Sequence, residues 1–144
     1  MLGRTVLDTD VLVAAVRSDR GASRVLLAGA LQKRYPMLAS VPLMLQYESV
    51  LCRSQHLDAA GLSTADVAAL LDAVALIVHP IRIAYLWRPM LSDPGDDLVL
   101  ETAVNGGADV VVTFNRRDFE PAAGRFGFEV IAPSDAVRRL ENRK

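Results

Sequence analysis

Residues 4–12, Arg4-Thr5-Val6-Leu7-Asp8-Thr9-Asp10-Val11-Leu12, begin as an apolar, β-branched run and stop abruptly on acidic side chains. A short apolar run broken by charge is the pattern of a buried central strand whose carboxyl tip leaves the core. In open α/β sheets, ligands bind at the carboxyl ends of the strands. The run therefore constrains the fold class and puts Asp8 where chemistry usually happens. A plainer role is open to the same residues, since Asp8 or Asp10 would also cap a helix beginning near Val11.

The rest of the chain alternates helical and extended patterns. Helices are expected over 11–16, 22–32 and 41–52, the last with Ser40 as N-cap and Pro42 near its first position. Ser18 to Gly21 reads as a turn. Ser63-Thr64-Ala65-Asp66 has the form of a capping box ahead of a helix over 67–74. Another helix starts at Asp93-Pro94-Gly95-Asp96 and runs to about Asn105, where Gly106-Gly107 ends it. A terminal helix opens at Pro133 and Ser134 and runs to about Glu141. Strands are expected at 37–39, 76–78, 110–113 and 128–131, and residues 80–90 read as irregular, with one turn at 84–87. Short strands alternating with helices imply a mainly parallel sheet in a three-layer α/β/α arrangement. With no repeat or linker, 144 residues read as one domain over 1–144 that buries about two-thirds of its unfolded surface.

The net charge of -1 gives no overall attraction to polyanions, so any binding of nucleic acid must come from local basic patches. Cys52 is the only cysteine, which excludes an internal disulfide and a cysteine-based zinc site and fits a reducing compartment. No apolar run reaches membrane-spanning length, and the N-terminus lacks the basic and then apolar regions of a signal peptide. A cytoplasmic protein is expected.

Four segments could aim oxygen donors at one spot: Asp8 after the first strand, Glu48 in the helix over 41–52, Asp96 with Asp93 and Asp97 at a helix start, and Asn115 and Asp118 after the strand over 110–113. Each has a structural explanation as a helix cap, a solvated side chain or a turn residue. Two carboxylates about 5 Å apart repel by roughly 3 kcal/mol at an effective dielectric near 20. Three or four converging would need protons or a cation. Oxygen donors without His or Cys select hard ions such as Mg²⁺ or Mn²⁺. His56, in a polar loop, and His79, before Pro80, lack a partner at metal-ligand spacing.

Taken together, these segments resemble PIN-domain proteins of the VapC-like kind that act as toxins in bacterial toxin–antitoxin pairs. The resemblance rests on residues 6–12, on Ser40-Val41-Pro42 through Tyr47-Glu48 to Val50-Leu51, on Asp93 to Asp97 through Leu100, Glu101 and Ala103, and on Ala108 to Phe119. It implies a metal-dependent endoribonuclease with Mg²⁺ or Mn²⁺ held by Asp8, Glu48, Asp96 and one residue after the strand. That fourth position is often Asp in the family; here it is Asn115, with Asp118 three residues further on. Asp10 stands where many members have Asn. Thr9, Asp10, Asp93, Asp97 and Thr113 would then support the ligands, and Arg116 and Arg117 would contact RNA phosphates. The resemblance also implies a homodimer and a small antitoxin partner.

Two other readings compete. Asp8-Thr9-Asp10 approximates the motif of haloacid-dehalogenase-like phosphatases, with Asp8 as nucleophile. That family needs a later lysine, and the only one beyond Thr113 is Lys144. The other reading is a non-catalytic interaction module on the same fold.

Overall fold

The computed structural model describes residues 2–18, 21–84 and 94–142. Asp93, part of the turn at 18–21 and most of the turn at 84–87 lie outside the described residues. Strand β1 (Thr5–Leu7) pairs in parallel with β4 (Val110–Val112), which pairs in parallel with β5 (Glu129–Ile131). Strands β2 (Leu38–Ala39) and β3 (His79–Pro80) form a second parallel pair. A parallel bridge between Thr5 and Met37, with Thr5 N–H donating to Pro36 O at 2.9 Å, sets this pair beside β1. The strand order is thus β3-β2-β1-β4-β5, and Val6, Leu7 and Val110 to Val112 are all buried.

The connections are helical: α1 (Thr9–Arg17) and α2 (Ala22–Leu31), then α3 (Val41–Leu51), α4 (Ser54–Ala60) and α5 (Thr64–Ile77), then α6 (Pro94–Gly106), α7 (Arg116–Phe126) and α8 (Pro133–Glu141). Right-handed crossovers place α1 to α5 on one face and α6 and α7 on the other. Accordingly α1 packs on α2 and α3, α6 packs on α7, and α8 returns to α2. This is the three-layer α/β/α fold. No single helix among the described residues is long and apolar enough to cross a membrane.

Local chemistry sets the boundaries. Ser40 Oγ accepts from Leu43 N–H at 3.3 Å and Pro42 sits in the first turn of α3. Both halves of the Ser63–Asp66 capping box form, and those bonds lower the Asp66 pKa. Gly107 takes φ +59°, a left-handed conformation that ends α6, and Ala108 N–H bonds back to Ala103 O at 2.9 Å.

Two expectations are corrected, and one helix start was not anticipated. Residues 76–77 continue α5 rather than forming a strand: Val78 N–H still bonds to Val74 O at 3.0 Å, and Leu76 is 85% exposed. His56 lies in α4, not in a loop, with Nδ1 3.4 Å from an Arg17 guanidinium nitrogen. Residues 116–119 are the first turn of α7, where Phe119 is fully buried. Arg-Arg-Asp and the later Pro121 disguise that helix as a turn.

Tyr47 joins α3 to the central strand, its O–H donating to Leu7 O at 2.5 Å. Burial, then the Asp8 charge, then Tyr35 push its pKa well above the usual tyrosine range, so it stays a donor. Tyr47→Phe removes this bond without changing the ring and is expected to cost about 1–3 kcal/mol, measured by urea denaturation. Unchanged stability would mean the bond adds nothing.

Candidate functional site

The sheet order reverses between β1 and β4, because the chain leaves β1 for β2 on one side and reaches β4 on the other. A crevice outside the carboxyl ends of the strands is expected at such a reversal. The register pairs Leu7 with Val112, so the next residues, Asp8 and Thr113, emerge side by side. Asp8 N–H donates to Val112 O at 2.9 Å, and Thr113 Oγ1 donates to Asp8 Oδ2 at 2.7 Å. Asp8 is 3% exposed and Thr113 is fully buried, so one carboxylate oxygen is held by a buried hydroxyl.

A cleft of about 520 Å³ opens at this point, lined on the acidic side by Asp8, Thr9, Asp10 and Asp96. Asp96 arrives in the first turn of α6 and is buried. A hydroxyl tie between α3 and α6 steadies the arrangement. Ser40 Oγ lies 2.7 Å from Thr102 Oγ1, whose own proton goes to Leu98 O at 2.8 Å, so Ser40 is the donor. At the rim, Asn115 Nδ2 donates to Asp10 Oδ2 at 3.1 Å, and Asn115 N–H donates to Thr113 Oγ1 at 2.9 Å.

The wall supplied by α3 differs from the expected one. Pro42, Leu45, Gln46, Ser49 and Val50 line the cleft, followed by Arg53, while Glu48 is exposed and does not line it. The phase follows from the buried stripe Leu43, Tyr47 and Leu51. Gln46 and Glu48 sit on opposite flanks of that stripe, about 200° apart around the axis at 3.6 residues per turn. Gln46 Nε2 donates to Thr9 Oγ1 at 2.9 Å, so a neutral amide stands where a carboxylate was expected.

The other expected residues divide in the same way. Asp97 is buried but does not line the cleft, and Asp118 is exposed in the first turn of α7. Asn115, not Asp118, makes the bond toward the acidic residues. Arg116 and Arg117 are exposed beside Phe114 in a separate hollow. Gln46, Ser49 and Arg53 were not anticipated. Phasing α3 on Leu43, Tyr47 and Leu51 would have found Gln46.

Among the described residues, no three His, Cys, Asp or Glu side chains form a group able to hold a metal ion. Mg²⁺ is usually bound through one or two carboxylates, with waters completing its shell. Asp8 and Asp96 offer that smaller set of hard oxygens, and the residues fit such an ion. Gln46→Glu adds a charge to the same cleft and is expected to tighten Mn²⁺ binding about tenfold, read by calorimetric titration. An unchanged dissociation constant would remove residue 46 from the cation's surroundings.

Compared with protein families, residues 4–117 match the PIN domain. No curated protein matches the chain.

Proposed function

Since this chain belongs to the PIN-domain family, whose members are generally metal-dependent nucleases, we propose that it is an endoribonuclease using Mg²⁺ or Mn²⁺ and the toxin of a toxin–antitoxin pair. The observation that carries the reading is that Asp8 and Asp96, two buried carboxylates from distant segments, line one cleft at the sheet's reversal point. A bound divalent ion would lower the pKa of a water for in-line attack and offset charge on the phosphodiester.

The chain's own groups do the remaining work. Asp8 and Asp96 would hold the ion, and Thr113 fixes the orientation of Asp8 through its hydroxyl. Gln46 keeps Thr9 in place, and Asn115 restrains Asp10 at the rim. Arg53 lines the cleft from the N-terminal end of α4, and its guanidinium would meet a substrate phosphate.

The antitoxin belongs to the same proposal. Val41 and Leu45 are 73% and 61% exposed on α3, and Leu45 also lines the cleft. A protein covering the acidic residues would bury that apolar strip. We further propose a homodimer that works in the cytoplasm. The test incubates the purified chain with single-stranded RNA in Mn²⁺ and in EDTA. Cleavage in Mn²⁺ that stops in EDTA supports the reading, and equal cleavage in both overturns it.

A further inference from the structure

Phe114 follows Thr113 directly, yet its ring is 55% exposed. Large side chains exposed singly are common and need no special role. This one differs in its setting. It lines a shallow hollow of about 460 Å³ with Asn115, Arg116, Arg117, Asp118 and Glu120. The hollow adjoins the acidic cleft through Asn115, which lines the hollow and donates to Asp10 of the cleft. Among the described residues, the other exposed large apolar side chains, Val41, Leu45 and Leu76, lie on α3 and α5 and do not share the hollow.

An aromatic ring among charged groups suits a nucleobase better than an apolar protein surface. A protein interface core is depleted of charge, whereas proteins that hold single strands combine stacking rings with cations along the backbone. Two guanidiniums and two carboxylates share the hollow, so its charges cancel and long-range attraction is weak. Recognition there must come from short-range contact with the ring.

We propose that Phe114 is a stacking platform for one unpaired base of a single-stranded RNA, next to the nucleotide whose phosphate enters the acidic cleft. Arg116 and Arg117 contact the backbone on either side of that base. The inference rests on the nuclease reading and adds a base-binding position to it. Stacking on an aromatic side chain tolerates any base, because every base has a π-face. The position therefore selects for an unpaired strand rather than for a sequence.

The test is fluorescence anisotropy of a labelled 12-nucleotide single-stranded RNA in EDTA, beside an abasic ribose-phosphate strand of equal length. Phe114→Ala is expected to weaken binding of the RNA about tenfold. Phe114→Trp should keep it, and all three proteins should bind the abasic strand alike. The inference is overturned if Phe114→Ala binds the RNA as well as the wild type does. Equal weakening in the alanine and tryptophan variants also overturns it. So does loss of self-association with RNA binding kept, which would assign the ring to a protein contact. In each of these cases, Mn²⁺-dependent cleavage by the wild type would leave the nuclease reading standing. A wild type that neither binds nor cleaves RNA removes both.

Discussion

Replacing Asp8 or Asp96 by asparagine is expected to slow RNA cleavage about a thousandfold while leaving a cooperative thermal melt. Both side chains are buried in the same cleft, and asparagine keeps their shape. In Asp8→Asn the amide oxygen can still accept from the Thr113 hydroxyl, so that bond survives the loss of charge. A cation at such a site provides several kcal/mol of charge stabilisation in the transition state. Losing about 4 kcal/mol of it corresponds to roughly a thousandfold in rate. Removing a negative charge from an acidic pocket also relieves repulsion, so the melting temperature should hold or rise. Single-turnover rates at saturating Mn²⁺ give the first result and calorimetry the second. A variant cleaving within tenfold of wild type would mean that its carboxylate does not serve the reaction.

Thr113→Val is expected to lower cleavage and divalent-ion affinity together, each by about 10- to 100-fold, the usual cost of losing a group that orients a ligand. Valine fills nearly the same volume but cannot donate to Asp8 or accept from Asn115 N–H. Asn115 is exposed and its N–H regains water, whereas the Asp8 carboxylate loses its fixed orientation. A role confined to packing would leave ion affinity unchanged, so Mn²⁺ titration of the variant separates the two. Thr113→Ser retains the hydroxyl and should recover most of the loss.

Much of the fold was legible because local chemistry and long-range order agree. The apolar run ending at Asp8, the β-branched Val110 to Val112 and the caps at Ser40 and Ser63 all appear where their patterns put them. Helix α7 was hidden because Arg116, Arg117, Asp118 and Pro121 are turn-like residues by composition, and Phe119 alone buries its first turn. The strand expected at 76–78 failed because apolar Leu76-Ile77-Val78, with two β-branched residues, looks extended locally, whereas α5 has hydrogen bonds to extend into it. Such a short run has no period of its own, and the helix before it decides its fate.

At the candidate site, the sequence is more informative about strand ends than about helix faces. Asp8 and Thr113 could be placed from position alone, since a strand end in a parallel sheet has only one direction to face. Glu48 and Gln46 are two residues apart on α3, and choosing between them depends on the phase of the helix. That phase is marked by Leu43, Tyr47 and Leu51 at helical spacing, and it is locked by Tyr47 reaching Leu7 O across the fold. Asn115, the N-cap of α7, and Asp118, in its first turn, pose the same problem.

The most direct measurement is anomalous diffraction from a crystal of the wild-type protein soaked in Mn²⁺. One peak is predicted in the cleft, about 2.0–2.2 Å from a carboxylate oxygen of both Asp8 and Asp96, with no peak there in crystals of Asp8→Asn. Density that binds elsewhere, or that touches only one of the two carboxylates, would contradict the joint role given to them.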